Sequence, residues 1–278
     1  MASKDTTDEL LRIEELTVTY STSKSFLQRN RKSTPAVDGV SLTVGAGRTV
    51  ALVGESGSGK SSVARTIVGL NRATSGHVWF DGRDLTRATP REWREARRDV
   101  QMVFQDPFAS LNPRMTVAEL LTEPWRVNRE AYPQRSWKSD LAELMSQVGL
   151  DPEHARRYPP QFSGGQRQRI CIARALALRP KLLVCDEAVS ALDVSIQAQI
   201  LNLLKDLQKE LGLAYLFISH DLGVVRHISD EVVVMHRGRV VESGDAEQIY
   251  TNPQDPYTRA LLSAEPSLHP WDEVEIAH

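Results

Sequence analysis

Eight consecutive residues, Gly54-Glu55-Ser56-Gly57-Ser58-Gly59-Lys60-Ser61, constrain this chain more than any other segment. They fit the spacing G-x-x-x-x-G-K-[ST], directly after the apolar run Val50–Val53 and ahead of a helical pattern over Gly59–Leu70. The glycines let the backbone wrap tightly, so that successive N–H groups and the start of the helix face one anion. Lys60 is then placed to reach the β- and γ-phosphates of a nucleotide, and the Ser61 hydroxyl to take a place on Mg²⁺. Ser62, the next residue, belongs to the same phosphate-binding set. Such a loop joins a buried strand to a helix, which commits the chain to an α/β core.

The rest of the sequence agrees with that commitment. Short runs rich in valine, isoleucine and leucine alternate with longer helical patterns: Val100–Phe104, Lys181–Asp186 before Val194–Leu211, and Ala214–Ser219 before Leu222–Ile228. Runs without polar alternation predict strands buried on both faces, hence a mostly parallel sheet wrapped by helices. Arg12–Thr19 and Val37–Val44 alternate more clearly and predict an antiparallel edge, and Arg237-Gly238 predicts a hairpin between Val232–Met235 and Val240–Val241. Between Asp106 and Tyr158 the strand signal gives way to helical stretches at Val117–Val127 and Trp137–Val148, which predicts an inserted helical subdomain. The expected organisation of residues 1–278 is one domain, with a core over 10–105 and 165–245, the helical insert over 106–164 and an extension over 246–278. The polar, basic segment Ser21–Pro35 predicts a loop after the first strand, and Arg83–Arg98 a solvated helix.

With 278 residues the chain is long enough to bury a core unaided, and a formal net charge of −2 excludes bulk electrostatic affinity for nucleic acid. Cys171 and Cys185 stand in apolar surroundings and predict buried thiols in a reducing compartment. No stretch approaches the roughly 20 apolar residues that a membrane helix needs. The N-terminal MASKDTTDELLRIEEL lacks an apolar stretch ahead of its acidic residues and does not read as a secretory signal.

Further candidates stand at the ends of other segments. Leu182–Asp186 closes on two carboxylates, placing Asp186 to hold Mg²⁺ and Glu187 to polarise a water for attack on a γ-phosphate. His220 follows Ala214–Ser219 at the strand edge where ligands of open α/β sheets collect, a position suited to a γ-phosphate contact. Gln105 ends Val100–Phe104 at the border of the helical insert, where it can report the state of the nucleotide. Tyr20 ends the first strand as a candidate platform for adenine or as an ordinary strand tyrosine. Ser163-Gly164-Gly165-Gln166 opens a second helix with exposed N–H groups. By itself this is either a serine N-cap or an anion site, and since one phosphate loop needs no second such end, it is assigned to a nucleotide held by another subunit.

Taken in order, these elements resemble the nucleotide-binding subunits of ABC transporters over nearly the whole chain. GESGSGKS is similar to the Walker A loop of a P-loop, RecA-like core, LLVCDE to the Walker B strand with its catalytic Glu187, and FSGGQ to the signature. Ser190-Ala191-Leu192-Asp193 resembles the D-loop, Ser219-His220 the H-loop, Gln105 the Q-loop and Tyr20 the A-loop aromatic. The resemblance implies an ATPase, with ATP and Mg²⁺ as cofactors and Ser61, Gln105 and Asp186 around the metal. Gln105–Val117, Val189–Gln199 and Asn252–Pro266 resemble the ATPase subunits of oligopeptide, dipeptide and nickel importers, and the insertion Ser21–Pro35 the second of their two ATPases. Phe162 and Ala188 depart from the commoner leucine and proline without removing a reacting group, and no cysteine follows Cys185, so no iron-sulfur centre is expected.

The partners so implied are a second, homologous ATPase chain, two transmembrane permeases, an extracytoplasmic solute-binding protein and no nucleic acid, with the chain peripheral on the cytoplasmic face of the membrane. Phe108, Leu111 and Trp125, set among prolines, are the expected exposed contacts of the insert with a permease. Two other functions compete. A soluble ABC-type ATPase of repair or translation would place a long coiled coil between loop and signature or fuse two cassettes, whereas Lys60 and Ser163 lie about a hundred residues apart in a single cassette. A regulatory module without hydrolysis would not need both Glu187 and His220.

Overall fold

The computed structural model describes residues 9–20 and 34–264. Among these residues ten strands run β1 (Glu9–Val18), β2 (Val37–Gly45), β3 (Thr49–Val53), β4 (Ser75–Phe80), β5 (Arg83–Asp84), β6 (Val100–Val103), β7 (Leu182–Asp186), β8 (Ala214–Ser219), β9 (Glu231–His236) and β10 (Arg239–Asp245). The helices are α1 (Lys60–Ile67), α2 (Pro90–Asp99), α3 (Pro107–Ser110), α4 (Val117–Val127), α5 (Trp137–Gln147), α6 (Gly164–Leu176), α7 (Val194–Leu211), α8 (Leu222–Ile228), α9 (Ala246–Thr251) and α10 (Pro256–Ser263), with short 3₁₀ turns between.

The strands form two sheets. One has the order β10-β9-β3-β8-β7-β6, parallel from β9 to β6 and closed at one side by the antiparallel β9–β10 hairpin. The other, β2-β1-β4-β5, is antiparallel throughout. The fully buried patterns of β3, β7 and β8 explain why their sequences do not alternate. Their side chains divide by parity: Val50, Leu52, Leu182, Val184, Leu216 and Ile218 share a core with α1 and the antiparallel sheet. Ala51 and Val53 pack with Leu222, Val225 and Ile249, while Leu183, Cys185, Tyr215 and Phe217 join the core built with α4, α5, α6 and α7.

Between β6 and α6 the described chain forms only α-helices and 3₁₀ turns. Thr116 and Glu119 form a capping box for α4, whose residues Val117, Leu120, Leu121 and Trp125 are buried on one face while Val127 at its end is exposed. This corrects the expected surface role of Leu111 and Trp125, each 3% exposed. Trp125 instead donates its indole N–H to the Ala177 carbonyl at 2.6 Å, because a buried indole must find an acceptor. The side chain of Phe108 lies outside the described residues, as does most of the insertion Ser21–Pro35. α6 lies at the seam, packing on α3, α4 and α5 and also on β6 and α7. Arg83–Arg98 folds as β5, a 3₁₀ turn and the exposed α2, whose Thr89–Glu92 capping box starts the helix.

Candidate active site

Parallel pairing of β3, β8, β7 and β6 as neighbours brings four C-terminal strand ends to one edge of the sheet. From β3 comes the loop Gly54–Ser61, from β7 Asp186 and Glu187, from β8 His220, and from β6, two residues on, Gln105.

The loop is held tightly by neighbouring backbone. Gly54 and Gly59 adopt φ of 142° and 107°. A Cβ on Gly54 would lie 2.1 Å from the Met235 carbonyl, and one on Gly59 2.3 Å from the Ala36 carbonyl, so no side chain fits at either position. The turn of the β9–β10 hairpin ties down the other flank, where Gly238 donates its N–H to the Ser58 carbonyl at 2.9 Å. Glu55, Ser56 and Gly57 remain exposed at the tip. α1 begins on Gly59 with no side-chain cap, leaving its terminal N–H groups to a ligand.

Lys60 is 4% exposed and folds back on the loop, its ammonium donating to the Gly54 carbonyl at 2.6 Å and the Glu55 carbonyl at 2.9 Å. Burial pulls its pKa below the ordinary lysine value, against the pull of the Glu187 and Asp186 carboxylates. Ser61 donates its hydroxyl to Asp186 at 3.0 Å, and burial pushes the Asp186 carboxyl above its usual range against that hydrogen bond.

Glu187 turns out of β7 at φ 51°, a left-handed backbone fixed by its N–H on the Ile218 carbonyl and by Ser190, whose N–H and hydroxyl both reach the Glu187 carbonyl. The turn presents the carboxylate to two partners at once. Gln105 donates its amide N–H to one oxygen at 2.7 Å, and His220 Nδ1 lies 3.2 Å from the other. Gln105 is thus bonded to Glu187, while Ser61 and Asp186 form a separate oxygen pair.

The site fits a nucleotide carried with Mg²⁺. The uncapped helix start and glycine cradle suit phosphate oxygens, and Ser61 with Asp186 offers hard oxygen ligands. Among the described residues no group of three or more His, Cys, Asp or Glu side chains could hold a metal unaided. Two protein oxygens suit a cation that takes the rest of its octahedron from phosphates and water.

Tyr20 is 45% exposed and its hydroxyl donates to Ser62 Oγ at 2.9 Å while accepting from Asn71 at 2.8 Å, so the ring stands beside the end of the loop. Ser163 caps α6 within its own chain: its hydroxyl accepts from the Gln166 N–H at 3.3 Å, and the Gln166 side chain accepts from the Ser163 N–H at 3.0 Å. Among the described residues no hydrogen bond joins Ser163–Gln166 to Gly54–Ser61. A Cβ on Gly165 would lie 2.6 Å from Ile196 Cγ2, so this glycine lets α6 and α7 approach closely. Asp193 stands at the head of α7 without capping it and is exposed.

Two residues at the site escaped sequence reasoning. Asn71 orients Tyr20, and Tyr257 accepts the Glu55 N–H at 3.1 Å from 202 residues away. Asn71 falls in no motif, and Tyr257 lies in the stretch Asn252–Pro266, whose resemblance marks a family tail but not a contact with the loop.

Residues 37–190 match the ABC transporter family, and residues 241–278 match the C-terminal region of oligopeptide/dipeptide transporters. The chain belongs to the ABC transporter family, and within it is an ATPase cassette. It is 52% identical over 263 residues to the oligopeptide transport ATP-binding protein OppF of Escherichia coli, covering 94% of this chain and 79% of that protein. With the di/tripeptide transport ATP-binding protein DppF of Pseudomonas aeruginosa it shares 50% identity over 95% of this chain and 81% of that one. Among solved structures, cbiO1 of Clostridium perfringens, part of an ABC transporter complex, superposes with a TM-score of 0.76 at 26% identity, covering 88% of this chain and 92% of the other. A dimeric ATP-binding cassette in a post-hydrolysis state with ADP and Pi gives 0.73 at 29% identity, covering 85% and 98%. No helix among the described residues is long and apolar enough to cross a membrane.

Proposed function

We propose that this chain binds and hydrolyses ATP to power uptake of oligopeptides, dipeptides or a related small solute through partner permeases. The reading is carried by the convergence of Lys60, Gln105, Asp186, Glu187 and His220 from four adjacent strand ends onto one edge.

The N–H groups at the tip of the loop and the start of α1 receive the phosphates, the Glu55 N–H staying on Tyr257, and Lys60 exchanges loop carbonyls for β- and γ-phosphate oxygens. Ser61 and Asp186 hold Mg²⁺, which supplies charge neutralisation on the phosphates when bound. Glu187 takes the role of base for the attacking water, with Gln105 and His220 fixing its carboxylate. His220 then faces the γ-phosphate, and Gln105 passes the state of the site to the helical insert. Tyr20 stacks on the adenine. Ser163, Gly164, Gly165 and Gln166 complete the site of a second cassette, with Asp193 at the joint between the two. The assembly comprises a sister ATPase, two transmembrane permeases and an extracytoplasmic solute-binding protein, with this chain on the cytoplasmic face of the membrane.

Substitution Lys60→Ala tests the site, with an expected loss of most nucleotide affinity or turnover and an unchanged fold, since a fixed charge on the phosphates disappears. Unchanged calorimetric binding of Mg²⁺-AMP-PNP by this variant would overturn the assignment. Cells lacking the gene should lose uptake of labelled peptides, and wild-type peptide uptake in such cells would overturn the substrate class.

A further inference from the structure

The C-terminal extension reaches into the phosphate site through one side chain. We propose that Tyr257 is a positioning residue for Lys60, holding the peptide plane on which the lysine ammonium rests. The inference rests on the reading of Gly54–Ser61 as the phosphate loop.

The Gly54 carbonyl and the Glu55 N–H belong to a single peptide unit. Lys60 Nζ donates to its carbonyl end at 2.6 Å, and Tyr257 Oη accepts from its N–H end at 3.1 Å. The two side chains therefore grip opposite ends of one rigid plane. The plane needs that grip, because Gly54 at φ 142° lacks the Cβ that would limit its rotation.

Tyr257 is itself well fixed. Asp255 caps α10 by accepting the Tyr257 N–H at 2.7 Å. On β10, Glu242 accepts the N–H groups of Gln254 at 2.7 Å and Asp255 at 3.1 Å, pinning the start of α10 to the sheet. The Tyr257 ring lies flat on His236 at the end of β9, with centroids 3.9 Å apart and planes 2° from parallel. The hydroxyl is thus presented from a stacked ring by a capped helix.

This contact joins the two segments that the family comparisons separate. Glu55 lies within residues 37–190, which match ABC transporters generally, and Tyr257 within 241–278, which match the oligopeptide/dipeptide transporter C-terminal region. The extension in this way sets the shape of the loop and the seat of Lys60 that an incoming nucleotide meets. Without the Tyr257 hydroxyl the 54–55 peptide samples other orientations, and apparent affinity falls by the fraction of molecules in which the loop is set.

The test is Tyr257→Phe in the full chain, which removes the oxygen and keeps the stacked ring. Calorimetry with Mg²⁺-AMP-PNP should give a Kd raised about three- to tenfold, the scale of one hydrogen bond. The KM for ATP should rise with it while kcat stays within about twofold. Hydrogen exchange at the Glu55 amide should accelerate relative to Ala51 and Val53 in β3. An unchanged Kd, or acceleration of all three amides together, would overturn the proposal, the second result marking a merely structural tyrosine. Lys60→Ala, run alongside, separates the two readings. Its normal binding would remove the phosphate-site assignment, whereas defective Lys60→Ala with normal Tyr257→Phe removes only the role of Tyr257.

Discussion

Glu187 carries its carboxylate on a left-handed backbone that few non-glycine residues adopt, and Gln105 and His220 hold both carboxylate oxygens. Substitution Glu187→Gln preserves shape but not basicity, so turnover should fall about 100- to 10,000-fold while Mg²⁺-ATP binding is retained. Turnover within a few fold of wild type would remove Glu187 from the chemistry. Cys171 and Cys185 give a second prediction at this scale. Burial pushes the first thiol up to about 11 and the second to about 12. At pH 8 the more acidic of the two is ionised in roughly one molecule per thousand. Neither should react with a thiol reagent in the native protein, and both should react after denaturation; rapid native labelling would contradict their buried placement. The loop, the two carboxylates and His220 were legible in sequence because each ends an apolar run. That Gln105 and Glu187 bond to each other was not, since a pairing across 82 residues leaves no local pattern.

Helix α6 shows how one glycine serves packing beside a proposed ligand site. Gly165 faces Ile196 of α7 across a distance that a methyl group would reduce to 2.6 Å. Gly165→Ala should therefore cost about 1–3 kcal/mol in chemical denaturation, as overpacking does. Gly165→Ala with Ile196→Ala should recover most of that relative to Ile196→Ala alone, a coupling that a double-mutant cycle reads directly. Additive effects would show that the strain lies elsewhere. Strands β3, β7 and β8 were readable because burial on both faces leaves continuous apolar runs, and β8 and α8 begin and end where the sequence places them. Strand β4, Ser75–Phe80, was missed because glycine and histidine dilute its alternation and its partners lie in β1 and β5. In α4 the spacing of Val117, Leu120, Leu121 and Trp125 already describes one helical face, so the surface role given to Trp125 overlooked a pattern present in the sequence.

At the scale of the whole molecule, the helical insert begins beside Gln105 and is the proposed contact with the permeases. Because Leu111 and Trp125 are core residues, the proposed contact is left to Phe108, whose side chain lies outside the described residues, and to exposed neighbours such as Ala109 and Arg114. Ala109→Asp and Arg114→Glu should uncouple solute uptake from ATP turnover without lowering thermal stability, whereas unchanged coupling would place the contact elsewhere. The insert was legible as a helical block, but the direction each face points depends on α6, which sequence reasoning assigned to the core alone. In the proposed assembly each ATP is hydrolysed between two cassettes, Lys60 of one chain facing Ser163 of the other. Its most direct measurement is vanadate trapping of a photoreactive nucleotide in the assembled pair, one cassette being tagged so that label on each phosphate loop is counted separately. Ser163→Arg in this chain should abolish labelling of the partner's loop and spare its own, while Lys60→Ala should abolish its own and spare the partner's. Loss of this chain's own label on Ser163→Arg, with the partner's intact, would contradict the composite site.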